Sequence, residues 1–308
     1  IMAVHKHNAV FFGPPRVRAV VTNINIISRK LTWHSAFSCV GANSMVEKNL
    51  ESLTKKNLIL QMNLTKFLKK IFRIKTNQYL KYVSKIAPNL KLKRTFSQHG
   101  QEYLVLMLLG NIKSGYFVEF GAIDGITNSN SYYFEKILGW NGILAEPAKR
   151  WHENLKYNRA VHIETDCVFS ESNLTLEFVE TGKWRGGNTL IKHLNSDNKN
   201  RIISEKYSVR TISLNDLLDK FDAPRHIDFL SIDTEGSELE IIRGFNFSEY
   251  SFSVICIEHN ELIEKRDAIR SILEKNEYVR LPLPQSLTKV DDWYVSRMVF
   301  EHFNNLVF

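Results

Sequence analysis

Glu119, Gly121, Asp124 and Gly125 stand together in YFVEFGAIDG, residues 116–125, with the spacing of a ligand loop. Tyr116, Phe117, Val118 and Phe120 form an aromatic and β-branched run that reads as a buried strand, and the two glycines bracket Asp124 where the chain must turn. The turn is not the GxGxxG of a dinucleotide site. Ala122 and Ile123 replace the middle glycine, and Glu119 sits inside the strand end. Acids before and within the turn suit a ligand with hydroxyls, an amine and a positive centre, whereas a pyrophosphate wants bare amides and a helix N-terminus. Taken alone, so short a motif also fits an ordinary strand and turn.

Further acids end further strands. NGILAEP reads as a short apolar strand ending in Glu146, which follows Asp124 by 22 residues; about 20 is the spacing at which a strand-end acid reaches a ribose diol. VHIETDCVF (161–169) reads as a third strand with Asp166 near its end, placed to accept from an adenine amino group and equally well suited to a turn. In IDFLSIDTEGSELEII (227–242), a strand buried on both faces ends in Asp233, Glu235 and Glu238. Three carboxylates around one turn repel one another unless a cation, a ligand or a helix N-terminus offsets them. FSVICIEHN (252–260) ends in Glu258, His259 and Asn260, and that carboxyl edge is where ligands bind in open α/β sheets.

Helices separate these strands. SNSYYFEKIL (129–138) carries Ser129 and Asn130 ahead of a helical run that stops at Gly139, and Pro147 opens a helix through Trp151 and Leu155. Residues 170–208 read as an insertion with one extra strand near 174–179 and a glycine-rich loop, KWRGGNTL. Ser213 and Asp216 resemble a capping box opening a helix over SLNDLLDKF. A helix using Leu262, Ile269, Ile272 and Leu273 follows, and DDWYVSRMVF (291–300) is expected to close the sheet as an antiparallel last strand.

From Ser97 to about Val299 the chain resembles the FkbM family of S-adenosylmethionine-dependent methyltransferases, in the order SQHGQE, FVEFGAIDGITNSNSYYFEKILGWNGILAEP, SLNDLL, DFLSIDTEGSELEIIRGF, IEHN and DDWYVSR. The resemblance implies an α/β fold: a Rossmann-like class I methyltransferase sandwich, its sheet mostly parallel with an antiparallel last strand. It implies S-adenosylmethionine as cofactor, held by Glu119, Gly121, Asp124, Ser129, Asn130, Glu146 and Asp166, and O-methylation of a sugar, glycan or polyketide-like hydroxyl. The acceptor itself does not carry over. A catalytically inactive protein of this fold that binds glycan or membrane is the competing reading, and a nicotinamide oxidoreductase lacks its pyrophosphate loop.

Methyl transfer to a hydroxyl needs alignment of the acceptor oxygen and removal of its proton. His259 is the candidate base, with His99 of SQHGQE second, and Asp233 and Glu235 are expected to fix the acceptor. Asp233 with Glu258 or Asn260 also has the hard-oxygen chemistry of a Mg²⁺ site; the metal-free account is preferred, and no metal ligand is assigned.

The net charge of +8 is concentrated in residues 62–96, which hold ten Lys or Arg and no acid, so the remainder is about two units negative. A nucleic-acid substrate is therefore not expected. Leu64, Phe67, Leu68, Ile71 and Phe72 fall at helical spacing among those lysines, the pattern of a basic amphipathic helix able to touch an anionic membrane or to pack on the domain. Cys39, Cys167 and Cys256 support neither a disulfide framework nor a zinc site, which points to a reducing, cytoplasmic setting. Residues 1–61 open on Ile1 and show no clear period; they are expected to be disordered or outside the native protein, with Met45 and Met62 as candidate starts. The methyltransferase domain is expected over 97–308.

Overall fold

The structure is a computed structural model that describes residues 95–110, 112–182, 187–195, 201–283 and 290–307. The expected extension over 1–61 and nearly all of the basic segment 62–96 lie outside the described residues. In chain order the elements are α1 (Gln101–Leu109), β1 (Tyr116–Phe120), α2 (Tyr132–Leu138), β2 (Asn141–Ala145), α3 (His152–Asn158), β3 (His162–Glu164), β4 (Cys167–Phe169), β5 (Thr175–Thr181), β6 (Thr189–Leu190) and β7 (Ile203–Ser213). They continue with α4 (Leu214–Lys220), β8 (His226–Ile232), α5 (Glu238–Gly244), β9 (Ser251–Glu258), α6 (Ile263–Lys275), β10 (Tyr278–Arg280), β11 (Asp291–Ser296) and α7 (Arg297–Val307).

Strands β1, β8 and β9 are apolar on both faces because helices cover both faces of the sheet. On one side Leu104, Leu106 and Leu108 of α1 and Phe134 of α2 pack on Phe117, Phe229 and Trp293. On the other, Leu217 of α4, Ile241 of α5 and Ile269 and Leu273 of α6 pack on Val118, Leu230 and Ile255. The seven-stranded sheet runs β10-β11-β9-β8-β1-β2-β3, parallel from β9 to β3, with β11 antiparallel to β9. This is the expected Rossmann-like sandwich. The chain leaves β1 toward β2 and β3 and returns to place β8 on the other side of β1, so a topological switch point opens beyond the ends of β1 and β8.

Three expectations need correction. Residues 161–169 are not one strand: β3 pairs with β2 in the main sheet, while β4 pairs with β7 in a second sheet ordered β4-β7-β5-β6. Asp166 lies in the break. Strand β11 ends at Ser296, after which the chain is helical, and the unforeseen β10 is the edge beyond it. Ser213 caps α4 by accepting the Asp216 N–H at 3.1 Å, but Ser172 supplies the reciprocal contacts to Ser213 N and the Asp216 carboxylate, so the box is completed from another segment.

Phe229 is fully buried, edge-on to Phe134 with ring centroids 5.7 Å apart and stacked on Trp293 at 6.2 Å. Phe229→Ala is expected to lower unfolding free energy by about 3–5 kcal/mol, read from urea denaturation; a loss below about 1 kcal/mol would show that this face is not a packed core.

Candidate active site

Gly121 follows β1 directly with φ +75°, and a Cβ there would stand 2.1 Å from the Asp233 carbonyl oxygen. Only glycine lets the β1 and β8 ends approach so closely, so the backbone of Asp233 and not a ligand alone demands Gly121. From this junction a cleft runs along the edge of the sheet, lined by Gly121, Ile123, Glu146, Asn188, Asp233 and Glu235 among others. Its far wall is the second sheet. Thr189 Oγ1 donates to the Glu235 carbonyl at 2.8 Å, and Arg201, 4% exposed in its side chain, reaches the Glu235 carboxylate at 2.8 Å and the carbonyls of Gly187 and Leu194. Glu235 holds φ +56° while tying the insertion to the end of β8. The structure thus gives Glu235 a positioning contact in addition to a place on the cleft wall.

Glu146 ends β2 and is 4% exposed. Its two carboxylate oxygens accept the N–H of Ile123 at 2.9 Å and of Ala148 at 2.8 Å. Burial outweighs these bonds and pushes its pKa up to about 7. The spacing of Asp124 to Glu146 therefore brings the glycine turn and the β2 end together through Ile123.

Other predicted site residues are spent on the loop itself. Glu119, 3% exposed, accepts from Ser129 Oγ at 3.0 Å, Asn130 N at 2.7 Å, Ser131 N at 3.2 Å and Ser131 Oγ. Ser129 Oγ accepts in turn from Tyr132 N, opening α2. Asp124 accepts from Ile126 N, Thr127 N and Thr127 Oγ1 across its own turn. Glu119, Asp124 and Ser129, expected as cofactor contacts, also fix the loop itself. Asn130 is the exception: Nδ2 donates to Ser231 Oγ at 2.9 Å, and the buried Oδ1 has no hydrogen-bond partner among the described residues. Asp166 is drawn to Arg210, 2.8 Å away, outside the cleft lining.

His259 does not stand as a free base. It is 2% exposed; its Nδ1 accepts the Glu261 N–H at 3.0 Å, so the hydrogen of the neutral ring is on Nε2, 3.9 Å from Asp292. Burial holds its pKa below the usual imidazole value. In this arrangement the ring's lone pair is engaged by the Glu261 N–H.

The sequence reading missed Arg159, whose buried guanidinium joins Ser129, Ser131, the Gly125 carbonyl and Glu135. It also missed Gln101 and Asp291, joined at 3.3 Å. Both lie in motifs read from the sequence, SQHGQE and DDWYVSR; the antiparallel pairing of β11 with β9 was the signal that Asp291 faces the carboxyl edge.

The fold is an α/β sandwich with a cleft at the switch point of its sheet, the place where open α/β sheets bind ligands. Residues 119–280 match the Methyltransferase FkbM domain, just over half of the chain, and the chain belongs to that methyltransferase family. Among solved structures, methyltransferase FkbM from Methylobacillus flagellatus KT is 13% identical, with 59% of this chain and 43% of that chain covered and a TM-score of 0.36. The O-methyltransferase from Bacillus cereus, in complex with SAH, is 16% identical over 75% of this chain and 94% of that one, with a TM-score of 0.35. Precorrin-6y C5,15-methyltransferase from Geobacter metallireducens GS-15 is 14% identical over 61% and 76%, at 0.34. This chain spans less than half the length of the Methylobacillus protein. No curated protein matches it. Among the described residues no helix is long and apolar enough to cross a membrane.

The raised pKa of Glu146 has a consequence for stability. The folded state holds this proton more tightly than the unfolded chain, so the contribution is full below about pH 4.5 and is lost as pH rises through about 7. Glu146→Gln should therefore gain stability relative to wild type between pH 5 and 8, by up to about 3 kcal/mol in urea titrations. A pH-independent difference would contradict the buried, proton-holding carboxylate.

Proposed function

We propose that this chain is an S-adenosylmethionine-dependent O-methyltransferase acting on a hydroxyl of a sugar, glycan or polyketide-like small molecule. Family membership supports methyl transfer, and Glu146 is the observation that carries the cofactor. An inward-facing carboxylate at the end of β2, fixed by two backbone N–H groups, suits the two donors of a ribose diol. Gly121 and Asp233 line the cleft at the β1–β8 junction, where they would meet the methionine portion, and Asn130 Oδ1, unpartnered among the described residues, would offer an acceptor to its ammonium. Bound there, the cofactor supplies an electrophilic methyl group.

The chain's own residues then have two tasks. Asp233 is exposed on the cleft wall at the end of β8, which supports it as the group that would receive the hydroxyl proton directly or through a water. The Arg201–Glu235 and Thr189–Glu235 contacts hold the second sheet over the cleft, which orients the acceptor and excludes water.

Calorimetry with S-adenosylmethionine tests this reading. With a pKa of about 7 for Glu146, the ionised fraction falls from about nine-tenths at pH 8 to about one-tenth at pH 6, so affinity should weaken roughly tenfold across that range. In Glu146→Gln the affinity should be weaker and flat with pH. Absence of binding, or wild-type affinity with the same pH profile in the variant, would contradict the assignment.

A further inference from the structure

On the cleft wall that the second sheet forms, Asn188 stands between Gly187 and β6, and the roles described above leave its amide without a task. Its Oδ1 accepts from the Arg150 guanidinium and from Thr181 N, each at 3.0 Å. Two donors on one edge fix the orientation of the amide, because a flip would set its NH₂ group against both. Nδ2 is therefore the edge left over, and it has no hydrogen-bond acceptor among the described residues.

The turn that carries Asn188 is tied down from two directions. Gly187, at φ +91°, gives its carbonyl to Arg201 Nε at 3.0 Å, and the same guanidinium reaches Glu235 at the end of β8. Arg150 also donates to the Thr181 carbonyl at 2.7 Å, which joins the segment after Pro147 to the end of β5 around the Asn188 side chain. A guanidinium on Oδ1 polarises the amide and strengthens Nδ2 as a donor.

Position and chemistry point to one part of the cofactor. Glu146, the acceptor proposed for the ribose diol, is followed directly by Pro147, and Pro147, Val168, Phe178 and Leu190 give the same cleft an apolar lining suited to a flat ring. Leu190, two residues from Asn188, pairs with Phe178 in the β5–β6 register, so the amide and this apolar surface belong to one patch of the second sheet. A heterocycle joined to a ribose at Glu146 presents ring nitrogens that accept, and Asn188 supplies a donor there. Asp166, the residue expected at the adenine, is instead paired with Arg210.

We propose that Asn188 is a specificity-determining residue of the cofactor site: its Nδ2 donates to a ring nitrogen of the adenine, so that the inserted second sheet, and not the loop after β3, recognises the base. The proposal rests on the methyltransferase reading above and adds to it the part of the chain that distinguishes the nucleobase.

Calorimetry of the full chain with SAH and with 1-deaza-, 3-deaza- and 7-deaza-SAH, each of which replaces one ring acceptor by C–H, tests the assignment. Wild type should bind one of the deaza analogues at least about tenfold more weakly than SAH. Asn188→Asp keeps an oxygen for Arg150 and Thr181 while losing both N–H groups, and Asn188→Ala removes the amide outright. In each variant SAH affinity should fall by about tenfold, and the penalty of that same analogue should shrink to within about twofold. Near-equal binding of all four ligands by wild type overturns the assignment without recourse to either variant. So does wild-type affinity for SAH in either variant, or an analogue penalty that persists in either. Failure of wild type to bind SAH would overturn the methyltransferase reading and this inference with it.

Discussion

A carboxylate that is 3% exposed at the end of β1 organises the site, and the loop after it exists to satisfy that charge. Unpaired, a buried Glu119 would be prohibitive; gathered by Ser129, Asn130 and Ser131 it becomes the fixed point around which residues 121–131 fold. Arg159, just past the end of α3, closes the network, reaching both serines, the Gly125 carbonyl and Glu135 while lying over the Phe117 ring. Removing one partner of such a buried charge network costs about 3–5 kcal/mol. With the loop held, Ile123 N meets Glu146 and the Asn130 amide meets Ser231, so the strand ends of β2 and β8 are set relative to β1.

The switch point turns this local arrangement into a site. Because β8 lies beside β1 and the chain crosses at Gly121, the Asp233 backbone packs on the glycine while its side chain faces the cleft. Acceptors of hydrogen bonds collect on either side: Glu146 toward β2, and Glu258, Asn260 and Asp291 toward β9 and β11. Among the described residues, several cations near these strand ends pair with carboxylates of the fold. Arg266 and Arg280 converge on Asp292, holding its carboxyl below the usual range against the opposing effect of burial, and Lys265 serves Glu238.

Strands that are apolar on both faces announce themselves, which is why β1, β8, β9 and the parallel sheet were legible in YFVEF, DFLSI and FSVICIE. So was Gly121, since few contexts other than a crossing or a ligand require it. Roles within the acidic clusters were not legible, because a carboxylate at a strand end looks the same whether it lines a cleft, as Glu146 does, or gathers its own loop, as Glu119 and Asp124 do. His259 illustrates the same limit: its position at a strand end was legible, but not that the N–H of Glu261, two residues on, engages its Nδ1. Arg159 was invisible because its partners come from 24 to 34 residues earlier in the chain, a long-range match that no local pattern encodes. The split of 161–169 between two sheets was hidden likewise, since β4 is assigned by its pairing with β7, some 44 residues on.

Hydrogen exchange at the Asn130 and Ser131 amides in the ligand-free protein, compared with Glu119→Gln, tests the central claim most directly. Both amides donate to Glu119. In the wild type they should be protected nearly as well as the β1 strand amides, and in the variant their protection should fall sharply while β1 itself stays protected. Fast exchange at both positions in the wild-type protein, or protection that the substitution leaves unchanged, would mean that Glu119 does not hold the loop.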